Sequence, residues 1–469
     1  EFLLRGVLMS QWAGVVLAAG MGVRMKSRLP KVLHPVCGKE MVRYPVDLLQ
    51  GLGVERILVV VSPTSRVEVE KALGDKVEYV EQATANGTGD AVSQTANRLM
   101  ANRLNGAEDD NPEHLIILGA DSPLLEAESL SRLMSTHLEK TSNMTILTGD
   151  FDTPGDLGRV QRNGTGQVIG IVEAATGEGL EDSPAEINGG VYCFSAPWLW
   201  EHLPQVEASP VGEVYLTALA SMNSEGNASI NAVKIARAND LQGVNNRVQL
   251  AQVEAELRQR INQRWMLDGV TIFDPASVFI DAEVTIGQDA VILPNTMLLG
   301  RTTVGEESEI GPGSVLRDSS VGNRCRVTTS VLEDAVMEDG ANIGPFSHLR
   351  SGAYLESGVH IGNFAEIKES RLAVGSLMGH FGYIGDASIG ANVNLGAGMV
   401  TCNYDGREKH RTNIGAGVFI GCDTMLVAPV TVGDDAVTGA GSVITEDVPQ
   451  GRLAVGVPAR IVVRKSDNI

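Results

Sequence analysis

From about Val278 to Val457 the sequence returns to one pattern every six residues. Stepping by six from Ile286 lands on Ile292, Leu298, Val304, Ile310 and Leu316. A small residue follows most of these four places on: Ala290, Thr296, Thr302, Ser308 and Ser314. The register breaks after Leu316, resumes at Ile343, Leu349, Leu355, Ile361 and Ile367, and resumes again at Ile414, Ile420, Leu426, Val432, Thr438 and Ile444. Helices repeat near about 3.6 residues and single strands near about 2, so neither explains this period. A parallel β-helix does. Each hexad is a short strand plus a corner, three hexads close one triangular coil, and the aliphatic residues stack inside. Glycine directly after the aliphatic residue, as in Ile286-Gly287, Ile361-Gly362 and Ile420-Gly421, is expected at the corners because it tolerates positive φ.

The 469 residues leave room for two or three cores. Aromatic residues make up only 4% and glycines number 53, which suits a solenoid with a narrow aliphatic interior. The longest apolar runs, such as Val15 to Ala19 and Ile57 to Val61, are far too short to cross a bilayer. Five cysteines without CxxC spacing argue against a disulfide scaffold or a zinc site, and a reducing cytoplasm is expected. A net charge of −21 argues against nucleic acid or an anionic membrane as partner. It leaves a nucleotide ligand open, because scattered carboxylates are screened beyond about 8 Å and local cations decide. Met9-Ser10 looks like a natural beginning, so residues 1–9 read as an upstream segment.

In the first half, Gly14–Ala19 reads as a buried parallel strand running into Gly20-Met21-Gly22-Val23-Arg24, with Pro30-Lys31 beyond. Backbone N–H groups of such a loop can approach phosphate oxygens, and Arg24 and Lys31 can neutralise them. Further strands are expected at Ile57–Val61, Val77–Val80 and Leu115–Leu118, with a helix near Arg66–Leu73 and a turn at Asn86–Gly89. Alternating strands and helices imply a mostly parallel sheet with ligands at the strands' carboxyl ends. Asp121 then falls where a metal-binding carboxylate would sit, although a turn cap is the plainer reading for an aspartate near a proline. Asn245 to about Trp265 reads as a helix with Leu250, Val253, Leu257 and Ile261 on one face, capped by Asn245 or Asn246.

These residues carry a resemblance. Leu17-Ala18-Ala19-Gly20, Arg24-Met25, Pro30-Lys31, Gln82, Gly87-Thr88-Gly89, Asp121, Gly158-Arg159, Glu173, Asn188-Gly189 and Asn245 together resemble the sugar-1-phosphate nucleotidyltransferases. The hexads resemble the left-handed β-helix acyltransferases, which assemble as trimers; the handedness comes from the resemblance and not from the period. Nearly the whole chain is similar to the bacterial bifunctional uridyltransferase–acetyltransferases that make UDP-N-acetylglucosamine. The resemblance implies an α/β Rossmann-like nucleotide-diphospho-sugar transferase domain over 10–243, a linker helix over 244–268, and a left-handed parallel β-helix of hexapeptide repeats with a tail over 269–469. It implies that Leu17, Ala18, Ala19, Gly20, Gln82, Gly87, Thr88, Gly119 and Ala120 hold UTP, with Arg24 and Lys31 stabilising phosphate charge. Gly158, Glu173 and Asn188 would hold the N-acetylglucosamine moiety, and Asp121 and Asn245 would bind Mg²⁺.

For the second half the resemblance implies that His380 is the base for acetyl transfer, a role that imidazole suits. Arg350, Lys368, Tyr383 and Asn394 would hold glucosamine-1-phosphate. Ala397, Asn403, Tyr404, Cys422 and Ala440 would line the acetyl-CoA groove between subunits of a homotrimer. Asn403–Arg407 looks like a protruding loop, the kind of insertion that builds binding surfaces on solenoids. The chain departs from the family pattern at Val23 (usually Ser or Thr), Asp90 (usually His), Ala120 (usually Gly), Leu157 (usually Tyr) and Cys422 (often Ser), and its tail lacks an arginine before Val457-Pro458. Two other readings fit parts of the pattern: a nucleotidyltransferase with a merely structural β-helix, and a non-catalytic nucleotide-sugar scaffold. His380, Tyr383, Lys368 and the Asn403-Tyr404 loop speak against the first, and Arg24, Lys31 and Asp121 against the second.

Overall fold

The computed structural model describes residues 11–100, 111–155, 157–173, 183–210, 212–225 and 228–462, and the expected upstream segment 1–9 lies outside them. The chain divides into two compact units, Glu1–Ala255 and Glu256–Ile469. The division falls inside the helix Arg247–Leu267.

In the first unit the short apolar runs fold as the strands Trp12–Leu17, Arg56–Val61, Glu78–Glu81 and His114–Gly119, and the helix Arg66–Leu73 forms as expected. The sheet runs in the spatial order Ile230–Lys234, Met144–Phe151, Ala185–Ser195, His114–Gly119, Trp12–Leu17, Arg56–Val61, Glu78–Glu81. Pairings along it are parallel except at Ala185–Ser195, which is antiparallel to both neighbours. Both faces are covered. Val16, Val59 and Ile116 pack with Val46, Val69 and Leu133, while Val15, Leu58 and Ile117 pack with Val92, Leu199 and Leu216 on the other side. Alternate side chains of one strand point to opposite faces, so a strand covered twice must be apolar throughout.

At the amino ends of the two central strands, Trp12 and His114 are register partners, and both rings contact His137 from the helix Ala127–Glu139. His137 is fully buried. Burial first, and the neighbouring His114 second, push its pKa down to about 3. A base held neutral in the folded state stabilises fully above its unfolded value near about 6.5 and loses that contribution as pH falls toward the folded value. The unfolding free energy from urea titration is therefore expected to drop as pH is lowered from about 7 to about 4.5, by at most about 1.4 kcal/mol per pH unit for this group. His137→Gln should flatten part of that slope; a slope identical in the variant refutes the assignment.

The second unit is a three-sided parallel β-helix. Among the described residues, strands from Thr271–Ile272 onward pair in parallel with the strand three places later until the last coil, giving three sheets of twelve, ten and nine strands, the twelfth strand of the first being antiparallel. The hexad aliphatics Ile292, Leu298, Ile310, Leu349, Ile361, Ile420 and Leu426 are fully buried, as are Ala290, Thr296, Thr302, Ser308 and Ser314. At its start, Asn262 Nδ2 donates to the carbonyls of Pro275 and Val278 at 2.9 and 3.0 Å, tying the helix to the first coil. At its end, Leu453–Gly456 and Ala459–Val462 form an antiparallel hairpin on one face.

The six-residue register does break between Leu316 and Ile343, but the coil carries on: Val321, Val327, Leu332 and Met337 continue the buried stack. The expectation that needs correction is the one about glycine. Some steps are simply five residues long. Each such step has a non-glycine residue at positive φ two places after the inward aliphatic: Asp318, Thr329, Asp334, Glu369 and Asp386. In several six-residue steps the positive-φ residue comes three places on, as at Asp289, Asn295, Glu307, Asn392, Asp423 and Asp435. Acidic and amide side chains thus take much of the left-handed backbone, which Asn and Asp tolerate best after glycine. The glycine behind the aliphatic mostly serves another need. A Cβ at Gly287 would lie 2.6 Å from Glu306 N, and one at Gly421 would lie 2.6 Å from Thr438 O. These glycines let adjacent coils stack.

Candidate functional site

In the first unit, the strands Trp12–Leu17 and His114–Gly119 end together, with Leu17 opposite Gly119. Ala120 N donates to Leu17 O at 3.0 Å, so the loop from Ala18 and the turn at Asp121 start side by side. Lys31, at the head of the turn Lys31–Leu33, sends its ammonium to this edge. Its Nζ donates to Asp121 Oδ2 at 2.5 Å and to Asn245 Oδ1 at 3.2 Å. The two charged side chains are only 13% and 24% exposed, which sets them apart from an ordinary surface pair. Asn246, and not Asn245, caps the following helix, accepting from Val248 N and Gln249 N at 2.9 and 3.0 Å. Asn245 is thereby left to face Lys31. Arg247 ties the helix start to the glycine loop by donating to Met25 O at 3.3 Å.

Gly22 sits at φ 59, and a Cβ there would lie 2.5 Å from that of Lys31, so only glycine lets the loop close over the lysine. Arg24 lies on the same loop, exposed to solvent, as is Val23. The Val23 departure therefore changes an exposed position and leaves the core untouched. Two oxygens that converge on one cation, Asp121 Oδ2 and Asn245 Oδ1, form a donor set suited to a hard divalent ion. Among the described residues no group of three or more His, Cys, Asp or Glu is placed to hold a metal ion.

Next along this edge, Gln82 is buried, and its Nε2 donates to Gly87 O at 3.2 Å and to Asp90 Oδ2 at 2.6 Å. The expected turn at Asn86–Gly89 leads straight into the helix Thr88–Ser93. A strap after Glu213 runs across it: Gly89 N donates to Val214 O at 2.8 Å and Leu216 N to Thr88 Oγ1 at 3.0 Å.

The residues expected to hold the sugar cluster. Asn188 N donates to Gly158 O at 2.8 Å, and a Cβ on Gly158 would lie 3.3 Å from Glu173 Oε2. Thr217 Oγ1 donates to Glu173 Oε1 at 2.7 Å, and Asn188 Nδ2 to Tyr192 OH at 2.7 Å. Burial, with the Glu173 charge behind it, raises the Tyr192 phenol above its ordinary range. Sequence reasoning gave no role to Tyr192, whose neighbours Val191, Cys193 and Phe194 make it read as core. Leu157 packs against the sheet core.

In the second unit, register places the candidate residues around one corner. Ile361 pairs with Met378, Leu377 with Asn394, Leu395 with Ile420, and Phe419 with Val437. His380, Ala397, Cys422 and Ala440 each stand two places after the inward residue of successive coils on that face, so they form one column. Asp423 N donates to Ala397 O and Gly441 N to Cys422 O, at 2.7 and 2.8 Å, which ties the column together. His380 and Cys422 are exposed. Asn394 projects from the face before the corner.

The face after the corner carries Arg350, Lys368 and Tyr383, on strands paired through Leu349–Ile367 and Glu366–Tyr383. Arg350 Nη1 donates to Glu366 Oε1 at 2.7 Å. Asn403 Nδ2 donates to Tyr383 OH at 3.5 Å and also bonds Asp386. The expected loop is a small hairpin closed by a bridge between Tyr404 and Lys409. It returns Lys409 to Lys368, and that neighbouring ammonium lowers the Lys409 pKa. Two facing ammonium groups make an anion-ready pair. Lys409 was missed because an exposed charge in a polar loop carries no signal of its own.

Comparison with known proteins adds to this geometry. A MobA-like NTP transferase domain matches residues 14–206, and bacterial transferase hexapeptide repeats match 283–318 and 411–446. Together they identify the two halves as a nucleotidyltransferase fold and a left-handed parallel β-helix. A protein of Geobacillus sp. named bifunctional protein GlmU is 43% identical over 442 residues, 94% of this chain and 94% of its own. Its namesake from Exiguobacterium sibiricum is 44% identical over 442 residues, 94% of this chain and 96% of its own. One from Caldanaerobacter subterraneus is 43% identical over 448 residues, 95% of each.

Proposed function

The chain belongs to the family of bifunctional GlmU proteins, and on that premise we propose that it carries out two consecutive steps of UDP-N-acetylglucosamine synthesis. The β-helix transfers acetyl from acetyl-CoA to glucosamine-1-phosphate. The first unit then couples the product to UTP and releases pyrophosphate. The observation that carries the reading is the presence, in one chain, of the Lys31–Asp121–Asn245 convergence and of a solenoid corner bearing His380 beside a face of Arg350, Lys368 and Tyr383.

At the first site, an oxygen of N-acetylglucosamine-1-phosphate attacks the α-phosphorus of UTP while pyrophosphate departs, so catalysis is positioning and charge neutralisation. Leu17–Gly20, Gly87, Thr88, Gly119 and Ala120 frame the nucleotide, and Gln82 meets its base. Gly158, Glu173 and Asn188 hold the sugar, and Arg24 and Lys31 offset phosphate charge. Asp121 and Asn245 hold Mg²⁺, which when bound neutralises phosphate oxygens. At the second site, Arg350, Lys368 and Lys409 hold the sugar phosphate, His380 takes the ammonium proton, and the freed amine attacks the thioester carbonyl, expelling the CoA thiol. Ala397, Asn403, Tyr404, Cys422 and Ala440 line the coenzyme groove.

This reading makes the protein a homotrimer. Asn394 and Tyr383 lie on different faces of one β-helix, so a pocket using both needs a neighbouring subunit to wall it. Phe346, Phe364 and Phe381 stand on the same edge as His380, at 59%, 59% and 55% exposure, with the first two rings stacked at 5.4 Å. Such an exposed aromatic column suits burial against a second copy. Its substrates place the protein in the cytoplasm, and no described helix is long and apolar enough to cross a membrane. The test is direct: purified protein given glucosamine-1-phosphate, acetyl-CoA, UTP and Mg²⁺ should form UDP-N-acetylglucosamine and sediment as three chains. Failure to form the product overturns the reading.

A further inference from the structure

Gln82 holds an amide at the edge of the nucleotide site, and an amide can present either a donor or an acceptor to a base. Here the choice is made by its surroundings. Gly87 O and the Asp90 carboxylate, at 3.2 and 2.6 Å, can only accept, so the nitrogen of Gln82 must face them. Both of its protons are then committed. What remains for a ligand is the carbonyl oxygen, fixed in direction because the side chain is buried. Asp90 is itself anchored: its Oδ1 accepts from Gln94 Nε2 at 3.1 Å, and Gln94 lies one turn on.

We infer that Asp90 is a positioning residue for base selection, locking Gln82 as an acceptor-only reader of the nucleotide base. This rests on the assignment of the first unit as a UTP-dependent transferase. Uracil offers an N3–H donor between two carbonyls, which matches a lone acceptor. Cytosine places a lone pair at N3 instead, and a methyl group on N3 of uridine removes the donor. If Gln82 were free to turn, it could donate to cytosine N3 and the preference would weaken. The family's usual histidine at this position would engage the glutamine differently, so the aspartate is a feature of this chain.

The experiment measures kcat and KM for uridylyl transfer with UTP, CTP and 3-methyl-UTP in unaltered protein, Asp90→Ala and Asp90→Asn. Asp90→Ala is expected to lower the UTP-over-CTP ratio in kcat/KM by roughly tenfold, mostly through a higher KM for UTP, while kcat with UTP changes by less than about threefold. Asp90→Asn keeps an oxygen facing Gln82 and should restore most of the ratio. An unchanged ratio in Asp90→Ala, or an equal loss for all three nucleotides, overturns the proposal, because that is what a merely structural aspartate gives. A kcat with UTP within about threefold of the unaltered value on the same samples shows that the first unit of each variant is folded. If unaltered protein turns over none of the nucleotides, the transferase assignment beneath the proposal has failed, and this control separates the two failures.

Discussion

Replacing His380 by alanine should lower acetyl transfer by roughly 10²–10⁴-fold while uridylyl transfer from UTP to N-acetylglucosamine-1-phosphate stays intact. The acceptor amine is protonated at neutral pH and has no lone pair to attack with until a base removes a proton. Three carboxylates on the face after the corner are already committed. Glu366 accepts from Arg350 at 2.7 Å, and Asp386 is bonded by Asn403. Asp405 accepts from Arg407 N and Glu408 N at 2.7 and 2.8 Å and pairs with His410. The Glu408 amide, then His410, then the Arg407 amide hold its pKa down to about 2. A carboxylate that acidic is a poor base. His380 stands exposed on the corner column shared by Ala397, Cys422 and Ala440. Added imidazole should restore part of the lost rate in His380→Ala, a response that a packing defect would not show. Acetyl transfer at the unaltered rate in the variant sinks the assignment.

How much of this was legible beforehand differs between the two units. A six-residue period has one sensible architecture, so the solenoid could be read from Ile286 to Leu316 alone. The five-residue steps could not, because they depend on Asp318, Thr329 and Asp334 adopting positive φ, which no periodicity announces. The role of glycine was misread for a related reason. Crowding between coils is set by contacts a full turn apart in sequence, as from Gly287 to Glu306. In the first unit the parallel strands were legible as apolar runs and the loop residues through family resemblance. The hydrogen bonds that orient them were not. Nothing local says that Asn246 caps while Asn245 faces Lys31, or that Asp90 reaches back to Gln82. Such pairs join residues brought together by the sheet, and their partners become visible only in three dimensions.

The converse experiment removes Asp121. Asp121→Ala should reduce uridylyl transfer by about 10²–10³-fold or more and leave acetyl transfer unchanged. Two effects compete in such a variant, and their sizes separate them. Deleting one partner of this sheltered lysine–aspartate pair costs more than the roughly 1 kcal/mol of an exposed pair, but Lys31 keeps Asn245 as a partner at 3.2 Å and is not left bare. Deleting the carboxylate that holds the cations neutralising the phosphates removes one electrostatic stabiliser of the transition state, and losing one costs about 2.7–4 kcal/mol in the barrier. Activity should therefore collapse while the thermal midpoint moves little. Asp121→Asn divides the question further. It retains an oxygen for Lys31 to bond and nearly the same shape, and it loses only the charge. If the carboxylate serves to gather positive charge at the end of the central strands, the amide should be nearly as defective as alanine, and binding of Mn²⁺, followed by its spectroscopic signal, should weaken in parallel. If the aspartate merely braces the turn that Val244 N closes onto its carbonyl at 3.0 Å, the amide should work within about threefold of the unaltered protein, and the metal assignment falls.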